Sequence, residues 1–177
     1  MKKETLKRRK NDDGFTLLEL LVTVAIILII AAIAIPKYLQ AKVAANETAA
    51  VGDLRSLMNA ESVYNARFGA SASVLSQLTV ADTPTDCTGS GILDPVQWAG
   101  ATPQMSGYNI TFTAPGADNP ADPSQTIAGC VMFHTWSAVA APISASTGSR
   151  QFYIDDSGTV HYATAGAPTN ASPVLGQ

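Results

Sequence analysis

The sequence predicts an α+β fold in which a long N-terminal α-helix packs on a small antiparallel β-sheet. Three observations support this fold class: an unbroken apolar run at residues 15–35, apolar residues at helical spacing after it, and alternating apolar and polar residues in the second half of the chain. We therefore predict a transmembrane helix over 15–35 and its amphipathic continuation over 36–68. A β-rich globular head over 69–165 and a flexible tail over 166–177 complete the 177 residues.

The apolar run is long enough to cross a membrane as a helix, at ~1.5 Å per residue and ~30 Å of hydrocarbon. Basic residues cluster before it, which predicts a cytoplasmic N-terminus and an exported remainder. Within the run every residue is apolar or weakly polar except Glu19. A carboxylate is costly in lipid and usually has a partner, but the run contains no basic residue that could pair with it. Glu19 therefore requires an explanation beyond membrane anchoring.

Charge is unevenly distributed along the chain. The first fourteen residues carry a net charge of +3, and because the whole chain carries −3, the remainder carries −6. Phosphate binding needs clustered Lys and Arg, and the later basic residues are dispersed. No nucleic-acid partner is therefore expected.

The residues around Glu19 match a specific family pattern. Residues 14–21 read GFTLLELL, which resembles the signature of type IV pilins and of type II secretion pseudopilins. The resemblance implies that a prepilin peptidase cleaves between Gly14 and Phe15 and N-methylates Phe15, which makes residues 1–14 a leader peptide. It also implies self-assembly through N-terminal helices, in which Glu19 of one subunit meets the Phe15 amine of a neighbour. In a low-dielectric bundle each charge is costly alone and tolerable as a pair.

A second helical segment follows the apolar run. Pro36 lacks the amide hydrogen of a continuous helix and predicts a kink or local melting. Apolar residues then recur at three- and four-residue spacing, with Glu47 and Glu61 among the polar residues that fill other positions. The pattern predicts a helix to about Arg67, ended by Gly69.

The head shows strand signals separated by turns. Residues 108–112, 130–136, 150–154 and 159–162 are predicted strands, and the last two flank a DDSG turn. The stretch TGSRQFYIDDSGTVHY also resembles the terminal hairpin of many pilin-like and pseudopilin-like heads.

Cys87 and Cys130 are too few for a disulfide-rich miniprotein and too far apart for a compact metal motif. One structural disulfide in an oxidising compartment is the favoured interpretation, and two unpaired buried thiols are the alternative.

No catalytic, metal or cofactor site is predicted. His134 and His161 lack the acidic or cysteine spacing of a zinc site. Asp118 and Asp122 in the loop at 116–124, or Asp155 and Asp156 in the DDSG turn, could supply oxygen to calcium, but they lack the alternation of a dedicated calcium loop.

The resemblance leaves several functions open. The leading hypothesis is a structural, non-enzymatic prepilin that polymerises into a type IV pilus. A pseudopilin of a type II secretion system is the alternative, because the N-terminal motif is common to both. A minor tip subunit that binds DNA or surfaces, and an enzyme held by a signal anchor, are less favoured. The implied partners are other copies of the chain, the prepilin peptidase and inner-membrane assembly machinery. The implied location is first the bacterial inner membrane, then an extracellular pilus or a periplasmic pseudopilus.

Overall fold

A computed structural model describes residues 14–79, 91–114, 133 and 135–176. The chain divides into two compact units, Met1–Leu39 and Gln40–Gln177. Helix α1 runs over Leu17–Phe68 and therefore belongs to both, and helix α2 is a single turn over Ser76–Thr79. Together with the sheet of the second unit, this confirms the predicted α+β class.

Helix α1 spans 52 residues and contains Pro36 in its interior. The helix continues through the proline, so the structure does not show local melting there; the kink stays a prediction. At the other end, Gly69 has a left-handed φ of 73° and its amide donates to the Asn65 carbonyl at 2.8 Å. This termination by glycine is the one the sequence predicts.

The second unit contains one five-stranded antiparallel sheet in the order β1-β2-β3-β4-β5. Its strands are β1 (Gln104–Met105), β2 (Tyr108–Thr113), β3 (Ser137–Pro142), β4 (Gln151–Asp155) and β5 (His161–Ala163). Each strand pairs with the next along the chain, so the sheet is a simple meander. Strand β2 and the β4–β5 hairpin confirm three of the four predicted strands.

Of the predicted strand at 130–136, the described residues 133, 135 and 136 are not part of a strand of the sheet. The paired strand is β3, which reads SAVAAP, whereas in the predicted segment Phe133 forms only an isolated bridge to Ser71. Residues 130–132 and 134 lie outside the described residues. Alanine has low intrinsic strand propensity, so the pattern of β3 was weak. Its pairing with β2 and β4 is what makes it a strand.

The core lies between the Gln40–Phe68 part of α1 and the sheet. Small residues on both sides, Ala50, Ala60, Ala138 and Ala140, are essentially inaccessible to solvent. Larger side chains from both layers fill the remaining space: Leu54, Leu57, Tyr108, Ile110, Phe152 and Ile154. Alanine in β3 thus fits a sheet that receives bulky side chains from the helix and from its neighbouring strands.

The C-terminal segment differs from the predicted flexible tail. The amide of Tyr162 donates to the Pro173 carbonyl at 2.9 Å, and the amide of Leu175 donates to the Val160 carbonyl at 2.8 Å. Val174 also forms a bridge with His161. Composition suggested a loose segment because Ala, Pro, Gly and Asn dominate it, but residues 173–175 pair with β5 and its flank.

Candidate functional site

The first unit presents an unbroken apolar helical surface. The most apolar 18-residue stretch of the helix has a mean hydropathy of 3.0, and none of its residues is buried. Among the described residues α1 is the one helix long and apolar enough to cross a membrane. Large side chains exposed in this part include Leu17, Leu18, Leu20, Leu21, Ile26, Ile27, Leu28, Ile29, Ile30, Ile33 and Ile35. Such a surface requires lipid or other apolar helices around it.

Glu19 closes the first turn of this helix. The Thr16 amide donates to Glu19 Oε2 at 3.0 Å, and the Glu19 amide donates to Thr16 Oγ1 at 3.2 Å. The Thr16 hydroxyl also donates to Glu19 Oε2, at 2.8 Å. This is a capping box, with Thr16 as the N-cap and Glu19 at the third helical position.

Sequence reasoning missed this role of Glu19, although the signal was present. The Thr-x-x-Glu spacing directly before an apolar run is the usual signature of a capping box. The contact gives Glu19 an internal partner in the single chain, which a bare transmembrane carboxylate would lack. One substitution of Glu19 therefore alters two possible functions, helix capping and charge pairing.

The two residues on either side of the predicted cleavage point are accessible. Phe15 is 89% exposed, and a Cβ added to Gly14 would meet no heavy atom within 4 Å. The fold itself therefore does not require glycine at position 14. Residues 1–13 of the predicted leader lie outside the described residues, as do Cys87, Cys130 and His134.

A second group of polar residues lies where α1 meets the sheet. Glu47, only 5% exposed, accepts hydrogen bonds from the Ser149 amide at 3.0 Å and from the Ser149 hydroxyl at 2.8 Å. Arg150 donates to Glu47 Oε2 through Nε at 2.8 Å and through Nη2 at 2.6 Å. Its guanidinium also lies 5.6 Å from the ring centres of Phe152 and Tyr162. This cluster attaches the β3–β4 loop to the helix.

The electrostatics of Glu47 follow from these contacts. Burial alone would raise the pKa of this carboxyl, but the hydrogen bonds from Arg150 and Ser149 and the charge of Arg150 outweigh burial and lower the pKa. Glu47 is therefore ionised at neutral pH.

Glu61 lies fourteen residues further along the same helix and is also buried. Both glutamates were predicted among the polar positions of α1, and that placement is wrong. The positions 47, 50, 54, 57, 61, 64 and 68 follow one another at three- and four-residue steps, and all seven are buried. This spacing could have placed both carboxylates on the buried face.

His161 lies in β5, and its Nδ1 is 2.6 Å from the Ser172 carbonyl. In the described part of the chain no group of three or more His, Cys, Asp or Glu side chains is arranged to hold a metal ion. The calcium alternative in the turn involves Asp155, whose Oδ1 accepts bonds from the amide and hydroxyl of Ser157. Aspartates 118 and 122 lie outside the described residues.

Comparison with known proteins finds similarity to type IV pilins. Residues 9–35 match the prokaryotic N-terminal methylation motif. The chain is 35% identical over 82 residues to the type IV wide pilus major component PilA4 of Thermus thermophilus. This alignment covers 45% of the chain and 63% of that relative, so the chain spans less than two thirds of its length. In its methylation motif, its similarity to this relative and its helix-on-sheet fold, the chain resembles a type IV pilin.

Proposed function

We propose that this chain is a prepilin that is cleaved between Gly14 and Phe15, N-methylated on Phe15, and polymerised into a type IV pilus. The observation that carries the proposal is the exposed apolar surface of the first unit, which begins directly after the predicted cleavage point. Before assembly this helix lies in the inner membrane with its N-terminus in the cytoplasm. After assembly the same surface packs against the helices of other copies.

A pilus is favoured over a pseudopilus because the relative named above is a pilus component. The pseudopilin alternative is consistent with the same motif and fold. Both functions use the prepilin peptidase and inner-membrane assembly machinery, and both use the chain itself as its main partner. They differ in the location of the product: an extracellular filament in the first case and a periplasmic one in the second.

The processing step is tested at Gly14. We expect Gly14→Leu to block cleavage and leave a chain heavier by the leader, because a peptidase of this type accepts only a small side chain there. Since a side chain at this position meets no atom of the chain itself, folding and insertion should be unchanged. Mass spectrometry of membranes from cells with an active prepilin peptidase measures the outcome. A wild-type chain that keeps Met1 in such cells would reject the proposal.

The assembly step is tested at Glu19, where two substitutions separate its two possible roles. Glu19→Ala removes both the charge and the capping contact to Thr16. Glu19→Gln keeps a side chain able to accept the Thr16 hydrogen bonds but removes the negative charge. If Glu19 pairs with the Phe15 amine of a neighbour, both variants are cleaved normally and both lose at least 90% of sheared surface filament.

Assembly of Glu19→Gln at wild-type levels, with a defect in Glu19→Ala, would show that helix capping is the function of the glutamate. Normal assembly of both variants would show that neither contact is needed. Thr16→Val is the matched control, since it removes the cap hydroxyl and leaves the charge. Charge pairing predicts that this variant still assembles.

A further inference from the structure

The carboxyl group of Glu61 is buried without enough hydrogen bonds for a charged group. The residue is 2% exposed, and its Oε2 accepts one bond, from the Ala72 amide at 3.2 Å. Its Oε1 has no hydrogen-bond partner among the described residues. An ionised carboxylate can accept about four hydrogen bonds. One long bond from a neutral donor leaves a buried negative charge poorly compensated.

Among the described residues, the surroundings of Glu61 supply no positive charge. A cavity of about 570 Å³ lies beside it, lined by polar side chains of α1, by Ser71, by Trp136 and by the β4–β5 turn. Asp156 of that turn is the other charged residue among the described lining residues. Tyr64, one turn along α1, has a pKa raised by burial and by Glu61, so its phenol is neutral at physiological pH. Burial is what disfavours ionisation of Glu61, and the single hydrogen bond from Ala72 does not offset it.

Glu61 attaches one segment of the head to the helix. Its Oε2 accepts the Ala72 amide, in the segment that follows α1, and Ser71 beside it is bridged to Phe133. On the other side of the cavity lies the β4–β5 turn, where a Cβ added to Gly158 would lie 2.9 Å from the Met58 sulfur. The carboxyl therefore lies between the attached segment and the cavity.

We propose that Glu61 is a protonation switch in the core of the head. The neutral carboxylic acid is compatible with the packed interface between α1 and residues 71–72. Loss of the proton places a poorly compensated charge in that interface and loosens the attachment of residues 71–72 to α1. The switch concerns the head alone and does not depend on which filament the chain forms.

The pKa of Glu61 agrees with this geometry. Burial raises the pKa from 4.5 to about 7, against the opposing effect of the Ala72 hydrogen bond. Because the folded-state pKa is the higher one, the stabilising effect of the proton is complete below about pH 4.5 and is lost as the pH rises through about 7. A difference of ~2.5 pH units corresponds to a decrease of up to ~300-fold in the folding equilibrium constant.

The experiment compares wild type with Glu61→Gln, which is neutral at every pH and has nearly the same shape. The full chain in neutral detergent micelles is unfolded with denaturant at several pH values from 5 to 8.5, with tryptophan fluorescence as the signal. We expect the wild-type folding constant to fall with pH relative to that of the variant, and the difference to level off above pH 8. The difference between the two chains is the readout, because protonation of groups common to both cancels in it. Asp156→Asn is the matched control, and it should keep most of the wild-type pH dependence.

Infrared spectroscopy of the wild-type chain provides a measurement that does not require the variant to fold. A protonated carboxylic acid has its own carbonyl band, and we expect one buried group whose band disappears with a midpoint near pH 7. Absence of this band at pH 5.5, or equal pH dependence of wild type and Glu61→Gln, would overturn the proposal. So would a wild-type chain whose loss of stability at pH 8 is removed by Mg²⁺ or Ca²⁺, because the cavity would then be a cation site.

Discussion

The buried side of α1 carries two glutamates that are almost equally inaccessible to solvent. One has several hydrogen-bond donors around its carboxyl group, and the other has a single donor. Glu47 is 5% exposed and Glu61 is 2% exposed, and both face the sheet side of α1. Glu47 accepts two hydrogen bonds from Arg150 and two from Ser149. Glu61 accepts one, from a backbone amide. Burial raises the pKa of both carboxyl groups, and the donors outweigh this effect at Glu47 but not at Glu61.

The two glutamates should therefore respond to pH in opposite directions. The pKa of Glu47 is lowered, so its stabilising effect is present above its ordinary value of 4.5 and is lost as the pH falls below it. The pKa of Glu61 is raised, so its stabilising effect is lost as the pH rises through about 7. The head should be most stable at mildly acidic pH, between these two transitions.

The largest expected effect comes from the same substitution at both glutamates. Glu47→Leu should lower the free energy of unfolding by about 2–3 kcal/mol, because Arg150 and Ser149 lose their acceptor. The effect is below that of a fully buried pair because the Arg150 side chain is 36% exposed to solvent. Glu61→Leu at pH 8 should instead raise the free energy of unfolding by about 1–2 kcal/mol, since it removes an uncompensated charge. Denaturant unfolding at pH 8 measures both, and effects of equal sign would refute the comparison.

The next largest effect on stability is expected at Gly148, in the β3–β4 loop that carries Ser149 and Arg150 to Glu47. A Cβ added to Gly148 would clash with the hydroxyl oxygen of Tyr108. Tyr108 is fully buried, and its hydroxyl donates to the Arg150 carbonyl at 3.0 Å. Gly148→Ala should therefore displace the loop and lower the free energy of unfolding by about 2 kcal/mol. The double variant with Tyr108→Phe should recover part of this loss, because the nearest clashing atom is gone. Strict additivity of the two changes would contradict this explanation.

The smallest expected effect tests the shape of the cation rather than its charge. Arg150→Lys keeps a positive charge but loses the planar donor pair to Glu47 and the stacking on Phe152 and Tyr162. We expect a decrease of about 1 kcal/mol in the free energy of unfolding, with little change in the acid transition of Glu47. If Arg150→Lys has the same free energy of unfolding as wild type, the charge of residue 150 alone accounts for its contribution to stability.

Periodicity in the sequence predicted most of the helix and most of the sheet. The apolar run, the three- and four-residue spacing after it and the alternation in β2 and β4 each reflect one buried face, which a local pattern can report. Strand β3 could not be found in this way, because its alanines are strand residues only through their pairing with β2 and β4.

The polar contacts also differ in whether a short stretch of sequence can predict them. The capping of Glu19 by Thr16 joins residues three positions apart, so its signal lies within a short window of sequence. The pairing of Glu47 with Arg150 joins residues 103 positions apart, and no local pattern connects them. The burial of Glu61 could be read from its spacing along α1, but the absence of a counter-charge depends on what the rest of the fold places around it.

The pairing of residues 173–175 with β5 has a consequence for how copies of this protein can associate. An unpaired outer strand exposes a row of amides and carbonyls to which another chain can add a strand, and such addition leads to uncontrolled aggregation. Here the chain's own C-terminal segment occupies that position: Leu175 bonds to Val160, Tyr162 to Pro173, and the His161 ring contacts Ser172. If copies pack side by side as proposed, this margin of each sheet is already paired and does not recruit a strand from a neighbour.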